Sequence, residues 1–126
     1  MMKARGLTKT FNPGTPIENP ALRGIDLHIP NGQFVTVIGS NGAGKSTFLN
    51  ALSGDLIVDT GSIHIDGKDV TRLSAWQRAG MVARVFQDPM AGTCEGLSIE
   101  ENLALAWQRG ERRHLRPAVT SGLREI

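Results

Sequence analysis

Residues 39 to 47 read Gly39-Ser40-Asn41-Gly42-Ala43-Gly44-Lys45-Ser46-Thr47. This is a glycine-rich run closed by a lysine and two hydroxyls, in the spacing G-x-x-x-x-G-K-[ST]. Such residue types suit dense phosphate charge. Glycines at 39, 42 and 44 let the backbone turn tightly enough for several N–H groups to face one anion. Lys45 brings a full positive charge that can follow a γ-phosphate through its transfer. The Ser46 hydroxyl is placed to hold Mg²⁺ between β- and γ-oxygens, and Thr47 adds a hydroxyl near the α- and β-phosphates. A glycine-rich turn that happens to carry a lysine is the plainer reading. The flanking segments count against it.

Those segments have to position the loop. Phe34-Val35-Thr36-Val37-Ile38 is a β-branched and aromatic run of the kind buried on both faces of a parallel sheet. After the loop, Phe48, Leu49 and Leu52 recur at helical spacing until Gly54, so a helix starting near Gly44 points its free N–H groups at the phosphates. The context is strand, loop, helix.

Composition bounds the rest. The chain has 126 residues, 40% hydrophobic and 5% aromatic, enough for one modest core. A net charge of +2 is mild and makes no case for a nucleic-acid partner. The lone Cys94 cannot form an internal disulfide, which suits a reducing cytosol and equally a small buried or surface thiol. The polar start Met1-Met2-Lys3-Ala4-Arg5 has no signal-peptide character, and no apolar run approaches the roughly 20 residues of a membrane span. Any membrane role is expected to run through a partner.

In chain order, Met2 to Thr10 predicts an edge strand leading to Phe11, whose ring could pack on the sheet or stack on a base. Turn-forming Asn12-Pro13-Gly14 and Asn19-Pro20 follow. Ile25, Leu27 and Ile29 alternate with Asp26 and His28 in a half-buried strand, which Pro30-Asn31-Gly32 turns back. Ser62 to Asp66 alternates in the same way, and Asp66-Gly67 closes it into an antiparallel layer with the earlier strands. His28 and His64 lack ligand-spaced neighbours and read as solvated strand residues. Ser74 with Gln77 makes a capping box for a short helix over 75–79, before a second core strand Met81-Val82-Ala83-Arg84-Val85-Phe86. That strand stops at Gln87-Asp88-Pro89. Residues 90–96 have no period and read as a mobile loop, and Ser98 with Glu101 caps a helix carrying Ile99, Leu103 and Trp107 on one side until Gly110. The arginines at 109, 112, 113 and 116 read as a solvated helix end or loop.

Over nearly its whole length the chain resembles the N-terminal half of an ABC transporter ATP-binding subunit. The resemblance is carried by Phe11, Leu22-Arg23-Gly24-Ile25-Asp26-Leu27, Gly32, the loop Gly39 to Thr47, Gly61-Ser62-Ile63, Gly67 and Phe86-Gln87-Asp88-Pro89. It implies an α/β P-loop NTPase of ABC type, truncated, with an antiparallel β layer and the start of a helical subdomain. Residues 1–86 would form the layer and phosphate-loop core, and 87–126 the glutamine loop and the beginning of that subdomain. It implies ATP and Mg²⁺ as ligands, with Phe11 against the adenine and Gly39, Ser40, Asn41, Gly42, Ala43, Gly44, Lys45, Ser46 and Thr47 around the phosphates. Ser46 and the Gln87 amide would hold the metal, Gln87 also meeting the attacking water. Lys45 and Gln87 are then contributors to catalysis. The implied partners are a transmembrane permease subunit and a second ATP-binding subunit, with no nucleic acid, on the cytoplasmic face of a membrane.

The family's signature motif, its catalytic carboxylate after a second acidic strand and its switch histidine are expected after residue 126. Leu52-Ser53-Gly54 is no signature, because it ends the loop helix and continues as Asp55-Leu56. Asp69 and Glu100 follow no apolar strand ending beside the loop. Two functions follow from this: part of a transport ATPase, or a binding module that holds nucleotide without turning it over and is poorly stable alone. A P-loop kinase or GTPase is disfavoured, since those families lack the Phe11, Gly61-to-Gly67 and Gln87 pattern.

Overall fold

Alternating residues build the sheet. β1 (Met2–Phe11) and β2 (Asn19–Ile29) pair antiparallel, with Lys3 opposite His28 and Ala4 opposite Leu27. The computed structural model describes residues 1–107. β3 (Thr60–Ile65) pairs with the other side of β1, and β4 (Lys68–Asp69) closes a hairpin, giving the order β2-β1-β3-β4. β1 is therefore an interior strand, contrary to its expected place at the edge. Both of its backbone edges are paired, one to β2 and the other to β3. The β3–β4 turn at Asp66 and Gly67 has φ of 48° and 80°, the double left-handed geometry that an Asp-Gly pair favours.

One face of the sheet is apolar. Ala4, Leu7, Leu22 and Ile63 come from the strands, Phe48 and Ala51 from helix α1 (Lys45–Ser53), and Val58 and Val70 from the connecting segments. The opposite face carries Lys3, His28 and His64 in one transverse row. α1 ends at Gly54, whose φ of 89° is left-handed. Leu49 departs from the expected buried stripe, being half-exposed on the outer side of α1.

Helix α2 (Ala75–Arg78) opens on the expected box, Gln77 Oε1 accepting from the Ser74 backbone N–H at 2.9 Å. Arg78, unforeseen from the sequence, is fully buried. Its guanidinium donates to the carbonyls of Ala51 (2.7 Å) and Leu52 (2.8 Å), Leu73 (3.0 Å) and Thr71 (3.3 Å). Downstream amides of Gly54 and Leu56 serve Asn50 O, and Arg78 supplies donors to the next two carbonyls at the end of α1, those of Ala51 and Leu52. Burial lowers its pKa from the ordinary guanidinium value, with the Asp55 carboxylate pulling the other way.

Two apolar runs differ from expectation. Residues 34–38 form no strand, with Phe34 92% and Ile38 89% exposed. Residues 81–86 likewise form none, and Val85 is 96% exposed. Their β-branched composition suits a buried parallel strand. A ladder needs a neighbouring backbone, however, and no described strand lies beside either run.

The chain divides into two compact units after Arg78. In the second, Asp88 caps a turn of 3₁₀ helix over Pro89–Gly92, its carboxylate accepting from Met90 N at 2.9 Å. The end of the run 90–96, expected to be mobile, is tied to the following helix through Asn102, which accepts from Cys94 N and donates to the carbonyls of Cys94, Leu97 and Ser98. Asn102 sits on α2's successor, helix α3 (Ile99–Trp107), which opens on the expected Ser98–Glu101 box. Ala104 is buried on α3, whereas Ile99, Leu103 and Trp107 are exposed, so that stripe covers no core among the described residues. Gly110 and the arginines at 109 to 116 lie outside the described residues.

Two sheet carboxylates make stability pH-dependent. Asp59 accepts from Thr10 N and from Lys9, and Asp69 accepts from the Thr71 hydroxyl and N–H, so both are held below the ordinary value of 3.8. A lowered folded-state pKa means that the unfolded chain takes up these protons first as the pH falls. The stability they add is complete above about pH 4 and drains away as the pH drops through the folded values. Thermal melts of Asp59→Asn should accordingly lose less midpoint between pH 5 and pH 3 than those of the parent. An unchanged acid slope would contradict this.

Candidate functional site

The loop takes its shape from three glycines used differently. Gly42 and Gly44 have φ of 81° and 87°, where side chains are strained. A Cβ on Gly44 would also lie 2.5 Å from the Ala21 carbonyl oxygen of β2, so the end of the loop rests directly on the sheet backbone. Gly39, by contrast, lies close to the aliphatic part of Lys45, 3.8 Å from its Cδ by the same construction.

Helix α1 starts at Lys45 with no side chain capping its N-terminus. Its first intrahelical bond runs from Phe48 N to Gly44 O at 2.8 Å, so the N–H groups preceding Phe48 have no acceptor within the helix. The Lys45 ammonium stands at the same place, donating to the carbonyls of Gly39 and Ser40, the latter at 2.6 Å. Ser46 is exposed on the first turn and Thr47 half-buried. A helix end with unpaired donors, a positive dipole and a lysine beside it is suited to a polyphosphate, so the donor set present fits that group. The hydroxyl of Ser46 supplies an oxygen of the hard type that Mg²⁺ takes.

The register brings Phe11 toward this loop. Phe11 pairs with Asn19, and Gly44 rests on Ala21, two residues further along β2. Strand rise and pair spacing then place Phe11 on the order of 10 Å from the loop's end. Lys9 pairs with Leu22, whose side chain approaches Gly44, so Lys9 and Phe11 project from the face that α1 covers. Phe11 is half-buried and belongs to no core cluster, and the Lys9 ammonium lies 5.7 Å from its ring centroid.

Gln87 lies in the second unit, exposed between Phe86 and the Asp88 cap. The guanidinium of Arg84 stacks over the Phe86 ring at 4.6 Å, and a Cβ on Gly92 would approach the same ring at 3.2 Å, which fixes the start of this turn locally. Sequence reasoning missed Arg78, Asp59 and Asn102. Only Asn102 left a signal, an amide at the position after a capping glutamate. Asp69 is engaged within its own turn by Thr71. No helix among the described residues is long and apolar enough to cross a membrane.

Residues 22–124 match the family described as ABC transporter. The tyrosine transport ATP-binding protein of Clostridioides difficile is 42% identical over 118 residues, which are 92% of this chain and 46% of that protein. The spermidine/putrescine import ATP-binding protein of Pasteurella multocida is 35% identical over 100% of this chain and 32% of its own length. A dimeric ATP-binding cassette solved in a post-hydrolysis state with ADP and phosphate superposes with a TM-score of 0.71 at 27% identity, over 92% of this chain and 50% of that one. The chain thus spans half or less of the length of these relatives.

Proposed function

The chain belongs to the ABC transporter family, and from that membership we propose that it is the nucleotide-binding part of an ATP-binding subunit that takes up Mg²⁺-ATP. The observation that carries the reading is the uncapped N-terminus of α1 with the Lys45 ammonium at the loop's mouth. Gly39 to Thr47 would surround the phosphates, Ser46 and Gln87 would hold Mg²⁺, and Phe11 would meet the adenine. Hydrolysis by a complete ATP-binding subunit would drive transport through a permease partner at the cytoplasmic face of a membrane, with a second ATP-binding subunit completing the site. The dimeric, ADP-bound cassette supports the pairing and the nucleotide. Relatives named for tyrosine transport and for spermidine/putrescine import support a small polar solute as cargo.

Calorimetric titration with Mg²⁺-ATP tests the reading. Lys45→Ala removes a charged hydrogen-bond donor and should weaken binding by about 1.5–3 kcal/mol. Equal affinity in parent and variant would refute the assignment of the loop.

A further inference from the structure

We propose that Lys9 is a positioning residue for the nucleotide base, acting through the ring of Phe11. The proposal rests on the reading of Phe11 as the adenine platform and adds to it what holds the platform in place. Lys9 is shielded for a lysine, its side chain only 20% exposed. Its ammonium has two partners at once. It pairs with Asp59 Oδ1 at 3.2 Å and stands over the Phe11 ring at 5.7 Å, inside the roughly 6 Å reach of a cation–π contact.

Asp59 is itself anchored on both sides of Lys9. Its backbone N–H donates to Thr8 O at 2.8 Å, and its Oδ2 accepts from Thr10 N at 2.8 Å. Pairing between β1 and β3 ends at Thr8 and Thr60, so the Asp59 carboxylate covers the next donor of β1 where the ladder has run out. The last residues of β1 are thereby stiffened just where Phe11 leaves the sheet. A ring held in one rotamer before the base arrives loses less freedom on binding, and this is how a residue that touches neither base nor phosphate raises affinity.

The test compares ATP with tripolyphosphate, both with Mg²⁺, on the full 126-residue chain. Lys9→Met should weaken ATP roughly three- to tenfold and leave tripolyphosphate unchanged. Lys9→Arg keeps a cation able to reach both Asp59 and the ring, and should restore ATP affinity. In a Phe11→Ala background, Lys9→Met should have no further effect, because the two act as one unit. Equal losses for ATP and tripolyphosphate, or a Lys9 effect that persists without the ring, would overturn the proposal. Failure of the underlying reading shows differently: Phe11→Ala alone would then leave ATP affinity intact, or neither ligand would bind.

Discussion

Replacing Arg78 with methionine should lower the stability of the first unit by about 3–5 kcal/mol, because one buried guanidinium serves four carbonyls and no water takes its place readily. Methionine roughly preserves the apolar volume, so the loss reports on hydrogen bonding more than on a cavity. Two of the four acceptors, Ala51 and Leu52, lie in the last turn of α1. The amides of Gly54 and Leu56, both bonded to Asn50 O, should therefore exchange faster in the variant than those of β1. Urea unfolding followed by circular dichroism gives the free energy. A loss below about 1 kcal/mol would show that the carbonyls find other donors. Arg78→Lys retains the charge but not the fork of donors, and should fall between parent and methionine variant.

Gly44→Ala should damage both the fold and the loop. The residue sits at φ 87°, and its new methyl would start 2.5 Å from the Ala21 carbonyl oxygen, a backbone atom that cannot swing aside. Left-handed strain of about 1–3 kcal/mol adds to overpacking of about 1–3 kcal/mol, so a total near 3–4 kcal/mol is expected. Relief requires α1 to lift from β2. That displaces the N–H groups at the N-terminus of α1, so, on the proposed function, Mg²⁺-ATP affinity should drop in the fraction that remains folded. Gly42→Ala is the control: its φ of 81° is just as strained, but nothing lies within 4 Å of its Cβ. It should lose only the backbone term, about 1–3 kcal/mol. Equal unfolding free energies for the two variants would rule out the close approach to Ala21 as the cause.

What was legible in the sequence is what short-range chemistry decides. The glycine–lysine–hydroxyl loop, the helix from Lys45 to its glycine stop at 54, the Asp66-Gly67 hairpin and both capping boxes involve groups within a few residues of one another. Each is specified by φ preferences and local donors and acceptors, so residue types at fixed spacing suffice.

Tertiary structure alone decided the rest. β-branched composition marked 34–38 and 81–86 as strand material, but pairing depends on a neighbouring backbone that composition does not reveal, and both runs stand outside the sheet. β1 alternates as an edge strand would, yet β3 arrives about fifty residues later to pair with it. Arg78 looked like any surface arginine at a helix end until α1, 26 residues earlier, brought carbonyls that needed it. Lys9 and Asp59, fifty positions apart, meet only because the segment after α1 returns along β1. The sequence by itself determined the glycine–lysine loop and its helix, since those bonds close within a few residues. Which strands pair and which charges are buried was decided by contacts whose partners lie far along the chain, where loop closure and burial outweigh local preference.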